Sequence, residues 1–169
     1  MAPANSTNLP PIETVQGLPT QDRAAILDLL FEPSTQLHTL SVPLLQEQAF
    51  ASYSDLIAAV GIQLTALSES PSRSDTAWLE DIIASHPRLG AKKVESAQSQ
   101  AEQAQLQGSY EETEQLRRLN DEYEKKYPGL RYVVFVDGRS RPVIMEGMRA
   151  RITNSDLKQE RSAAIRVYV

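Results

Sequence analysis

The chain has 169 residues, 41% of them hydrophobic and 23% charged, the balance of one globular domain with a sizeable core rather than of a disordered segment. A net charge of −5 without any basic run argues against a nucleic-acid surface. The absence of cysteine excludes a disulfide framework, a thiol nucleophile and a thiolate metal site, and two histidines outside any His-Glu-x-x-His pattern argue against a histidine zinc site.

In chain order, Met1 to Pro11 is small and polar and is expected to be a flexible tail, with a single domain over residues 12–169. Thr20 is placed to cap a helix whose apolar positions Ala24, Ile26, Leu27, Leu29, Leu30 and Phe31 precede a stop at Pro33. Ser52 with Asp55 starts the next helix, in which Leu56, Ile57, Val60, Leu64 and Leu67 form one apolar stripe. Residues 68–74 read as a loop. Ser74 or Asp75 then caps a helix carrying Trp78, Leu79, Ile82 and Ile83 and ending near Ala84.

From Ala91 to Gln107 the chain is polar and rich in Ala, Gln and Glu, and Gly108 breaks it. Ser109 and Glu112 fit a capping box for a helix through Tyr127, with Leu116, Leu119 and Tyr123 on its buried face. Pro128-Gly129 marks a turn. Tyr132 to Val136 has strand composition and is closed by Asp137-Gly138. One strand cannot form a sheet, so this run is expected to be an extended, buried segment in an otherwise all-α bundle. Two further helices are expected, from Pro142 to Ile152 and from Ser155 to Val169, broken at Asn154. No run is long and apolar enough to span a membrane, and no signal-peptide pattern opens the chain.

The chemistry-bearing motif is His86-Pro87-Arg88-Leu89-Gly90, where a helix runs into a proline one residue after an imidazole. Histidine titrates nearest neutral pH and is the natural candidate for moving a proton. A lone histidine at a helix end is also a common partner of the helix dipole, so the motif alone leaves both roles open. His38 lacks polar company in sequence and reads as structural. After His86 follows the polar cluster Ser99-Gln100-Ala101-Glu102-Gln103, which on its own could equally be a solvated helix face.

Together, these motifs resemble the family of 2-oxo-4-hydroxy-4-carboxy-5-ureidoimidazoline (OHCU) decarboxylases. The resemblance runs from about Gly17 to the C-terminus. It is carried by His86-Pro87 with Leu89-Gly90, by Ser99 to Gln103, by Leu119-Asn120 with Tyr123, by Tyr132 to Val136, by Gly138-Arg139-Ser140-Arg141, and by Arg151 to Asn154 with Glu160. It implies a cofactor-free, all-α, homodimeric enzyme of urate degradation that converts OHCU to (S)-allantoin.

By the same resemblance, His86 and Glu102 are the catalytic residues, and Pro87, Ser99 and Gln103 hold the substrate. Tyr132, Val133, Val134, Phe135 and Val136 line the pocket, chiefly through their backbone. Neither a metal nor a nucleic-acid or membrane partner is implied. The compartment implied is cytoplasmic or peroxisomal, although Arg166-Val167-Tyr168-Val169 is not a Ser-Lys-Leu-type address. The chain departs from the pattern at Arg88, where many relatives carry an acidic residue. A late arginine of the family falls beyond Val169 by spacing, and Arg166 is the nearest to it. Two other readings suit the residues: a non-catalytic interaction module of this fold, and another cofactor-free acid–base enzyme acting on a ureido compound.

Overall fold

The computed structural model describes residues 8–91, 100 and 109–169, and among them seven α-helices and a short 3-10 helix at Ile12–Gly17 are bounded. The helices are α1 (Thr20–Leu30), α2 (Thr35–Glu47), α3 (Tyr53–Glu69), α4 (Arg73–Ala84), α5 (Tyr110–Lys126), α6 (Arg141–Asn154) and α7 (Leu157–Tyr168). No strand forms among the described residues, and none of their helices is long and apolar enough to cross a membrane. The protein is an all-α single domain, with residues 131–136 running irregularly between α5 and α6.

Helix α3 is the centre of the packing, laid against α2, α4 and α7, while α1 packs on α2 and α5 on α6. Its stripe follows the expected spacing, with Leu56, Val60 and Leu64 fully buried. Leu79 and Ile82 of α4 and Leu27 of α1 join the same core. Trp78 instead lies at the rim of α4, where its indole Nε1 donates to the Gln36 carbonyl at 3.2 Å.

Several helix starts differ from the sequence expectation. Thr20 is the first residue of α1 rather than its cap, because Pro19 takes the capping position with its φ already fixed. Likewise α4 starts at Arg73 after Ser72, and Asp75 accepts from Ser70 Oγ at 2.5 Å instead of capping. Helix α2 has no counterpart in the sequence reading. Ser34 caps it through the Leu37 N–H, and Pro43 sits inside it. The expected caps do form at Ser52 for α3 and at Ser109 for α5, where Ser109 and Glu112 complete a reciprocal capping box.

A buried ionic network holds the irregular segment in place. Glu160, 2% exposed on α7, accepts from Tyr123 Oη at 2.5 Å and from Arg151 Nη2 at 2.5 Å. The same guanidinium donates from Nη1 to the Val133 carbonyl at 3.1 Å and lies over the Tyr132 ring, 4.5 Å from its centroid. Tyr132 in turn meets Tyr123 edge-on at 5.2 Å. One cation therefore ties α6, α7, α5 and the segment together. The segment is buried at Tyr132, Val133 and Val136, but not at Phe135, whose ring is 63% exposed.

Two outcomes follow. Leu79→Ala, which opens a cavity at the α3–α4 contact, is expected to lower stability by about 2–5 kcal/mol in urea unfolding. For Glu160, burial raises the carboxyl pKa, but the hydrogen bonds from Arg151 and Tyr123 outweigh it and the net shift is downward. A depressed folded-state pKa contributes stability that is present above the unfolded value, about 4.3, and is lost as pH falls through the folded value. Glu160→Gln should therefore lose roughly 3 kcal/mol at neutral pH, where it leaves a mostly buried guanidinium without its counter-ion. Its unfolding free energy should also fall less steeply than that of the wild type below about pH 4.3.

Candidate active site

The site is built where α4 stops. Its last turn tightens, with Ser85 N–H bonded to the Ile82 carbonyl at 3.2 Å and His86 N–H to the Ile83 carbonyl at 3.1 Å. Pro87 then prevents another helical turn. Helix ends leave carbonyls without intrahelical partners. Here a distant side chain supplies them: Arg131 Nη1 donates to the Ala84 carbonyl at 2.8 Å and to the His86 carbonyl at 2.9 Å. Arg131 opens the irregular segment, so the histidine and the segment are joined through one guanidinium.

The loop after His86 is pinned to α5. Leu89 is buried, and its carbonyl accepts from Asn120 Nδ2 at 3.1 Å. Gly90 has φ +78°, and a Cβ there would come within 2.9 Å of Leu116 Cδ2, so only glycine suits both the turn and the close approach. Arg88 points its guanidinium at α5, where Asp121 (2.6 Å) and Glu124 (2.8 Å) neutralise it. The departure from the resemblance at this position thus adds a surface clamp to the loop.

The imidazole of His86 is 19% exposed and faces a carboxylate that sequence spacing does not suggest. Glu32, 9% exposed in the connection after α1, lies with Oε1 3.8 Å from His86 Nδ1. Its backbone is fixed from α7 by Tyr168, whose Oη donates to the Glu32 carbonyl at 2.9 Å, and whose ring stacks on Phe31 at 5.7 Å. Burial pushes the His86 pKa below its ordinary value, Glu32 opposes that shift and Arg131 adds to it, with a net lowering. The shift favours the neutral ring, the form able to take up a proton. Burial drives the Tyr168 hydroxyl well above the usual tyrosine range, so it remains a donor.

The segment contributes backbone. The Val133 carbonyl is held by Arg151, and the Val136 carbonyl accepts from the Arg139 N–H at 2.9 Å and from its Nε at 3.2 Å; the Phe135 carbonyl also accepts from Arg139. The N–H groups of residues 132–136 donate to no acceptor among the described residues. Buried backbone donors are rarely left unpaired, so a run of them is open to water or to a ligand rich in acceptors.

Of the residues singled out by sequence, the structure sets His86 and Pro87 beside the start of the Tyr132–Val136 segment, through Arg131. Ser99, Glu102 and Gln103 lie outside the described residues. His38 pairs at 2.6 Å with Asp28 in a contact between α2 and α1. Arg166 is exposed on α7. Sequence reasoning missed Glu32, Arg131 and Tyr168. The only local hint for Glu32 is its place at a helix end before Pro33. Among the described residues no three His, Asp or Glu side chains converge to hold a metal ion.

Comparison with known proteins bears on the same span. Over 160 residues, 93% of this chain, it is 26% identical to the uric acid degradation bifunctional protein PucL of Bacillus subtilis (strain 168), and it spans 30% of that protein's length. The family model described as OHCU decarboxylase matches residues 16–168, from the 3-10 helix to the end of α7. With nearly the whole helical domain and the His86 loop inside that match, the chain belongs to the OHCU decarboxylase family.

Proposed function

We propose that this chain decarboxylates 2-oxo-4-hydroxy-4-carboxy-5-ureidoimidazoline to (S)-allantoin, a step of urate degradation, without a cofactor. The observation that carries the reading is a partly buried His86 joined through Arg131 to a run of backbone N–H groups that meet no acceptor among the described residues. The substrate is a small ring of carbonyls and nitrogens bearing a hydroxyl and a carboxylate. It needs donors for its oxygens and a group that can accept and return a proton.

The chemistry follows from those needs. The bond from ring carbon to carboxylate breaks, CO₂ leaves, and the electron pair stays on the ring as an enolate-like charge. N–H groups already fixed where that charge develops lower the barrier without reorganising. The backbone of residues 132–136 supplies such donors, and Pro87, Ser99 and Gln103 complete the hold on the ring. His86 takes the substrate hydroxyl proton, and Glu102 orients the substrate. Proton delivery to one face of the ring sets the S centre.

Optical activity provides the test, because spontaneous decay of the substrate gives a racemate. With substrate generated in situ from urate, the chain should speed CO₂ loss and yield one enantiomer. Unaccelerated, racemic product would overturn the proposal. His86→Asn should lower the rate by about 10²–10⁴-fold, the usual contribution of a positioned acid–base group. A full-rate His86→Asn protein would remove His86 from the mechanism while leaving the reaction assigned.

A further inference from the structure

The carboxylate that the fold sets against the imidazole is Glu32, more than fifty residues before it in the chain. A carboxylate at 9% exposure is costly to bury unless something compensates it. Its placement is also over-determined. Tyr168 holds the Glu32 carbonyl from α7, Phe31 stacks on the same tyrosine, and Pro33 fixes the backbone on the other side. The Nδ1–Oε1 separation of 3.8 Å is within ion-pair range and just beyond a hydrogen bond. Hydrogen bonds of a catalytic group are often this long before substrate fills the site and tighten when it does.

We infer that Glu32 is a positioning residue for His86, holding the neutral ring with its proton on Nδ1 so that the Nε2 lone pair is presented to the substrate. The inference rests on the reading of His86 as the acid–base group. A carboxylate can only accept, so it selects the Nδ1–H form and leaves Nε2 as the sole acceptor of the ring. Among the described residues, the charged groups acting on the ring fit this role. Burial is the largest influence and disfavours the imidazolium, Glu32 favours it, and Arg131 from the irregular segment disfavours it. The balance falls on the neutral side, so Glu32 orients the imidazole rather than keeping it charged. Around Glu32, the Tyr168 hydroxyl is acted on by neutral Ser85 and by the carboxylates of Glu32 and Asp28, the latter one turn earlier in α1.

Because the chain has two histidines, a His38→Asn background leaves a single imidazole to follow by long-range ¹H–¹⁵N NMR. With Glu32 intact, the neutral ring should be the Nδ1–H tautomer; an Nε2–H tautomer overturns the inference, and this measurement needs no site variant to fold. In Glu32→Gln, confirmed as helical by circular dichroism, the imidazole pKa should fall by about one unit, the usual scale for loss of a nearby opposite charge. The acidic limb of kcat/KM should move down with it, and Glu32→Asp should restore most of the shift. An unchanged titration in Glu32→Gln means that Glu32 is merely structural and ends the proposal. If the tautomer and the shift appear but no decarboxylation is detected, the assigned reaction fails while the positioning stands.

Discussion

The site depends on a single guanidinium, that of Arg131, which bonds the carbonyls of Ala84 and His86 at once. A helix that stops inside a protein must satisfy its last carbonyls, and a proline after the stop removes the option of another turn. Arg131 meets that requirement from a segment far along the chain. The end of α4 and the start of the irregular run are therefore one structural unit. Without that bond, the carbonyls behind the imidazole would turn towards water, and the ring would lose the wall behind it.

The irregular run is held from its other side by Arg151. Its charge is placed among Glu160, two tyrosine rings and the Val133 carbonyl, so that an extended backbone persists where a helix would otherwise satisfy its own donors. The two arginines divide the work. One fixes where the segment begins relative to the histidine, and the other fixes which carbonyl turns inward. What remains is a set of N–H groups that meet no acceptor among the described residues, alongside an imidazole whose pKa burial lowers.

Much of this was legible in the sequence where the signal is local. The stripe of Leu56, Val60 and Leu64, the reciprocal cap at Ser109 and Glu112, and the proline that halts α4 after His86 each depend on residues within one or two turns. The run from Tyr132 to Val136 was legible as extended because β-branched and aromatic residues cluster there with no partner strand in the chain. Helix α2 was not, since Pro43 within it gives the same signal as a helix end, and only packing on α1 and α3 outweighs the lost backbone bond. Glu32, Arg131 and Tyr168 were illegible for a different reason. Each matters through a partner brought near by the folded chain, and a glutamate before a proline carries no trace of an imidazole that it will meet from another helix.

The hydrogen bond from Tyr168 to the Glu32 carbonyl joins positions 136 residues apart. During synthesis α1 and α4 leave the ribosome long before α7, so the surroundings of the imidazole are settled only when the last helix docks. A chain that has made only α1 to α4 still lacks both this bond and the one from Arg131. The surroundings of the imidazole are thus complete only once elements from both ends of the domain have met.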